Sequence, residues 1–434
     1  MKTLALLLLL GAACPAAAGY TEAAAAMKGL EGKEANDLDG YLLQPGAVLA
    51  RSERATALLA DNQPALDLFR AAAAAQSDGY LFSPKVEKPT SQTPAPKYAP
   101  HIKLFKLLLM DARVKAARGQ RAQAEENLLA AAGFLVQLSA QRSFAILSVM
   151  MEQLCLQKAA PVLAESLRGK AGAAYLQELS ARLGAQAKNR DFMLAAMQEE
   201  GEILKNSIRE AVTPEAAERE RQKFPLLKRL AARRLQDKEF FDLVHSRFAA
   251  ATDERTAAFA KAFRDNDPAA ADAFVTAQLG RLKAAKEEYQ ARGALSALRD
   301  IALAGSDAKA RLADVMVESL TAIGVPSYGK LVPRYHAAYC GLGVLRTALA
   351  VKRYQLAKKR LPDALAQLVP DYLEAVPQDT FNKGAPLAYV KDRKKFTVYS
   401  FGPDGKDDKA ALELDMKTWF DNPAMSAGDI IYAE

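Results

Sequence analysis

The stretches YQLAKKRLPDALAQLVPDYLEAVPQD (Tyr354–Asp379) and YSFGPDGKDD (Tyr399–Asp408) carry the most position-specific signals in this 434-residue chain. The first is the end of a helix spanning Tyr335 to Arg360. Leu342, Leu345, Leu349 and Leu356 keep one face apolar, and Arg346, Lys352, Arg353, Lys358 and Lys359 are polar. Cations in the last turns suit the negative end of the helix dipole. Leu361-Pro362 stops the helix, Asp363 to Leu368 forms a short one, and Pro370 ends that in turn. Val376 precedes Pro377 and is therefore extended. Leu387 to Val390 and Phe396 to Ser400 are apolar-aromatic runs around the charged turn Lys391 to Lys395, which predicts a β-hairpin. Gly402-Pro403-Asp404-Gly405 is a turn, and Asp404, Asp407 and Asp408 crowd three carboxylates into five residues. Residues 333–434 thus read as a small α+β module.

Working outward, residues 101–332 read as an α-helical body. Alanine is abundant and loses no side-chain entropy in a helix. Helices are expected at His101 to Gly119, Ala122 to Leu138, Phe144 to Cys155, Ala173 to Ala185, Phe192 to Glu210, Pro214 to Phe248, Glu254 to Phe263, Pro268 to Arg292 and Ser306 to Leu320. Gly119 joins the first two in a turn like that of a tetratricopeptide repeat, but no period recurs. Residues 83–100 carry Pro84, Pro89, Pro94, Pro96 and Pro100 and read as an extended linker. Residues 19–82 form an N-terminal helical segment, broken at Gly40, at Pro45-Gly46 and at Asn62-Gln63-Pro64. The fold class is mainly α: an irregular helical array, weakly tetratricopeptide-like, ending in an α+β module.

Residues 1–18 read as a secretory signal peptide: a basic start, the apolar run Leu4 to Leu10 and the small residues Ala16-Ala17-Ala18. The rival reading is a lipoprotein signal acylated at Cys14. Cys155 and Cys340 either pair or stay reduced, and their apolar helical settings favour buried thiols. His101, His245 and His336 are far apart, and no C-x-x-C, phosphate-loop or H-E-x-x-H pattern exists. The net charge of +8 is interleaved with acids, which fits a solvated surface better than a nucleic-acid footprint. Glu199-Glu200-Gly201-Glu202 and the pairs Lys228-Arg229 and Arg233-Arg234 read as solvated helix faces.

The last quarter of the chain resembles the C-terminal part of the major pseudopilin of type II secretion systems. The likeness rests on Tyr354-x-Leu356, Arg360-Leu361-Pro362, Leu368-Val369-Pro370-Asp371-Tyr372-Leu373, Val376-Pro377-Gln378-Asp379 and the turn Tyr399-Ser400 through Gly405. It departs at Leu361, where that family has an aromatic, and at Thr380, where it has Pro. The whole layout resembles large exported helical proteins of planctomycete- and verrucomicrobia-type bacteria. The family's turn binds calcium, so the resemblance implies Ca²⁺ held by the side chains of Asp404, Asp407 and Asp408 and the carbonyl of Phe401. Hard cations of this kind take six to eight oxygens. The alternative is a solvated acidic turn softened by Lys406 and Lys409. The function expected is a non-enzymatic scaffold of the cell envelope, periplasmic, with protein partners, no nucleic acid, and membrane contact only through lipid at Cys14. The alternatives are a component of a type II secretion or pilus-like apparatus, and an envelope hydrolase using dispersed carboxylates.

Overall fold

A computed structural model describes residues 19–30, 33–75, 90, 92–141, 145–168, 171–188, 192–216, 238–264, 307–321, 325–415 and 427–434, with isolated positions between 273 and 287. The fold is mainly helical, with two small C-terminal sheets. The signal-peptide reading of residues 1–18 and Cys14 lies outside the described residues. So do Pro84, Pro89, Lys228-Arg229, Arg233-Arg234, Pro268 and Ser306.

Five short helices open the chain: α1 (Tyr20–Ala25), α2 (Lys33–Leu42), α3 (Gly46–Leu49), α4 (Glu53–Asp61) and α5 (Gln63–Ala74). Their breaks have local causes. The Ser52 hydroxyl accepts the Ala55 N–H at 3.2 Å and so starts α4. Asn62 closes the turn before Pro64: its side chain accepts from Lys28 N at 2.8 Å and donates to the carbonyls of Lys28 and Leu58, both at 2.9 Å.

The body follows with α6 (Tyr98–Ala117), α7 (Arg121–Ser139), α8 (Ala145–Leu167), α9 (Ala173–Lys188), α10 (Phe192–Ala211), α11 (Lys238–Arg264) and α12 (Ala308–Thr321). Three differ from expectation. α6 begins at Tyr98, so Pro100 sits in its first turn, where a missing N–H costs nothing. α8 continues twelve residues past Cys155 with Pro161 inside it. α11 runs unbroken through Thr252-Asp253, where two helices were expected. Among the described residues no helix is long and apolar enough to cross a membrane.

The long helix α13 spans Val325–Lys358 and begins ten residues before Tyr335, with Pro326 and Pro333 within it. After a 3₁₀ turn at Leu365–Leu368 come β1 (Gln378–Asp379), β2 (Ala385–Pro386), β3 (Ala388–Asp392), β4 (Lys395–Ser400) and β5 (Ile430–Ala433). β3 and β4 form the expected hairpin, with Tyr389 opposite Val398. The tail returns as β5, with Tyr432 opposite Val398 on the other side. α13 packs on α8 and α9 along one side and on β4 and β5 along another. One apolar core accordingly runs from Tyr20 and Phe69 through Phe105, Phe134, Leu163 and Leu179 to Leu349, Phe396 and Tyr432. A second cluster, Phe240, Phe241, Val244 and Phe248 with Ala313 and Val317, joins α11 to α12. Cys155 and Cys340 are both buried free thiols.

Candidate functional site

The acidic turn is built from the end of β4 downward. Asp379, only 1% exposed, stands at the end of β1 and ties the loop after α13 to the turn. Its carboxylate accepts from Phe381 N at 2.9 Å, Ser400 Oγ at 2.8 Å and Phe401 N at 2.8 Å. The Cys340 thiol lies beside it, 2.8 Å from Thr380 Oγ1. Burial pushes that thiol up to about 11, so it stays protonated at neutral pH. Phe401 is therefore held through its N–H by a buried carboxylate.

Gly402 follows with φ +68°, and a Cβ there would lie 2.0 Å from the Gly428 carbonyl oxygen. This close approach seats the turn against the returning tail. Gly405 N closes the turn on Gly402 O at 3.0 Å. Asp404 Oδ1 accepts from Lys406 N at 3.1 Å, and Asp407 Oδ1 accepts from Lys409 N at 2.9 Å and from the Tyr399 hydroxyl at 3.1 Å. Lys409 and Ala410 both take positive φ, 55° and 58°. That bend lets Ala410 N donate to Asp429 Oδ2 at 2.7 Å.

Asp429 is the residue the sequence reading missed. It is fully buried, and its backbone exchanges two 2.8 Å bonds with Leu412 and Leu414. Burial raises its carboxyl above the ordinary range. The N–H groups of Ala410 and Asp408 offset part of that rise, and the charges of Asp408 and Asp407 add to it. Tyr399 is pushed up to about 12 by burial, by its bond to Asp407 and by the charges of Asp407 and Asp429. Asp429 thus joins Asp407 and Asp408 as a carboxylate that feels their charge, where the sequence reading had only the turn's own three. Asp404 Oδ2 and Asp429 Oδ1 are buried without a hydrogen-bond partner among the described residues. The carboxylates are not drawn into a finished cage, since no three acidic, His or Cys side chains among the described residues are grouped to hold a metal ion.

Elsewhere, the other sequence candidates have ordinary partners. His101 Nδ1 lies 2.9 Å from Lys97 O, and His245 Nε2 lies 2.8 Å from Val212 O. Glu202 pairs with Lys205 at 2.5 Å, and burial raises the Glu200 carboxyl. No family of known proteins, curated protein or solved structure matches this chain.

Proposed function

We propose that the chain is an exported, non-enzymatic scaffold of the cell envelope whose C-terminal module is locked by Ca²⁺ at the acidic turn. The observation that carries the reading is Asp429, fully buried, with Oδ1 partnerless among the described residues and the charges of Asp407 and Asp408 acting on it. A buried carboxylate facing two further acids is repelled by them, and a divalent cation relieves the repulsion. Asp404, Asp407, Asp408 and Asp429 would supply side-chain oxygens, and Phe401 a carbonyl. The ion's work is structural: it would fasten β5 and the tail to the turn, and so complete a surface for protein partners.

The test is the thermal midpoint of the full chain in Ca²⁺ and in chelator. A ligand of the native state at a hundredfold excess over its Kd adds about 2.7 kcal/mol. A rise of several degrees with Ca²⁺, absent with Mg²⁺, is the expected result. An unchanged midpoint removes the calcium from the reading.

A further inference from the structure

A cleft of about 170 Å³ lies between α9, the middle of α13 and the loop carrying β1. Tyr335, His336, Tyr339, Arg346, Pro377 and Gln378 are among its lining residues. None of these residues belongs to the acidic turn.

Arg346 is the chemically pointed member. It is half-buried, and burial lowers its pKa. Among the described residues no hydrogen bond or ion pair within 4 Å reaches its guanidinium. Glu374, the carboxylate whose charge it feels, is held instead by Lys188 at 2.6 Å. A half-buried guanidinium that no protein carboxylate meets is placed to receive an anion from outside. Its planar fork matches a carboxylate with two parallel hydrogen bonds. The rest of the cleft is suited to a flat apolar body. The Tyr335 and Tyr339 rings stack with centroids 4.3 Å apart, and Pro377 stands on the loop side. A cavity of about 150 Å³ suffices for a benzene ring. Only one charge is called for. The Tyr339 hydroxyl leads to the buried Glu152 at 3.3 Å, and Glu374 lies near, so a dianion meets two acids and one cation.

We propose that this cleft binds a small monocarboxylate with a body the size of an aromatic ring, its carboxylate on Arg346. Calorimetric titration of the full chain tests it with benzoate as the probe, benzamide as its uncharged counterpart and inorganic phosphate as the anion without a ring. Saturable one-to-one binding of benzoate is expected, with benzamide at least tenfold weaker and phosphate weaker still. Arg346→Gln is expected to lose at least tenfold in benzoate affinity, and Arg346→Lys to keep part of it. The comparison among the three probes needs only the native chain, so it stands even where Arg346→Gln does not fold. Absence of saturable benzoate binding overturns the proposal. So does benzamide binding as tightly as benzoate, phosphate binding as tightly as benzoate, or a folded Arg346→Gln variant that binds benzoate unchanged.

Discussion

Single residues decide the chemistry at two places. Glu152 is fully buried where α8, α9 and α13 meet. Its Oε1 accepts from Gln186 Nε2 at 3.0 Å and from the Tyr339 hydroxyl at 3.3 Å, while Oε2 has no partner among the described residues. Burial lifts its carboxyl to about 7, from an ordinary 4.5. The folded state therefore keeps this proton after the unfolded chain has released it. Stability falls as pH rises from about 4.5 to 7 and is level above that, for a total of about 3 kcal/mol. Glu152→Gln removes the titration. Denaturant titrations are expected to find the variant gaining on the parent across that window, with a constant difference above pH 7. A difference that does not move with pH excludes Glu152 as the source. Asp429 behaves in a related way. With chelator present, Asp429→Asn relieves repulsion from Asp407 and Asp408 and is expected to leave the thermal midpoint unchanged or slightly higher. With Ca²⁺ present, the variant is expected to lose the rise seen in the parent. The three carboxylates of the turn were legible because they are contiguous in sequence. Asp379 and Asp429 were not legible as partners of that turn. Each lies about twenty residues from it in sequence; the β4–β5 pairing brings Asp429 there, and Asp379 meets it through its bonds to Ser400 and Phe401.

Among the elements, helix type and order were legible from composition and apolar spacing, while boundaries moved wherever packing outweighed a local stop signal. Pro161 and Pro333 each delete one helical hydrogen bond, yet α8 and α13 pass through them. Both helices belong to the shared core, and apolar burial there exceeds the roughly 3 kcal/mol that an interior proline costs. The hairpin was legible from its alternation. The Lys391–Lys395 turn closes with Arg393 at φ +52° and Lys394 beside it, a two-residue connection that matches strand twist. The β4–β5 pairing was not legible as a strand. Ile430-Ile431-Tyr432 is a three-residue apolar run with no alternation to mark it, and the close approach of Gly402 to Gly428 helps seat it. Gly402→Ala places a methyl group into the Gly428 carbonyl and also demands a left-handed backbone, worth about 1 kcal/mol by itself. A loss above about 2 kcal/mol is expected once the clash is added. Amide exchange is expected to speed up in β5 before it does in β3. Uniform loss of protection across both strands excludes a local role for the glycine contact.

At the scale of the whole molecule, the C-terminal module and the helical body are joined through α13. Leu342, Leu345 and Leu349 share a core cluster with Leu163, Leu179 and Leu183. Polar links cross the same seam: Arg353 Nη1 donates to Ser180 Oγ at 3.1 Å, Arg168 Nε to Ala433 O at 3.2 Å, Lys188 pairs with Glu374 at 2.6 Å, and Tyr339 donates to Glu152. Each buried leucine is worth about 1.5–3 kcal/mol when removed from water. Separating residues 333–434 from the body uncovers the α8- and α9-facing side of α13. Several such side chains together equal the 5–15 kcal/mol net stability of an ordinary domain. The fragment 333–434 is therefore expected to lack a cooperative melt, with or without Ca²⁺. In the full chain, amides of β4 and α13 are expected to exchange with the same opening free energy as those of α7 and α9. A fragment that melts cooperatively near the temperature of the full chain would show the module to be autonomous, and the seam along α13 to be a docking contact between two separately folded units.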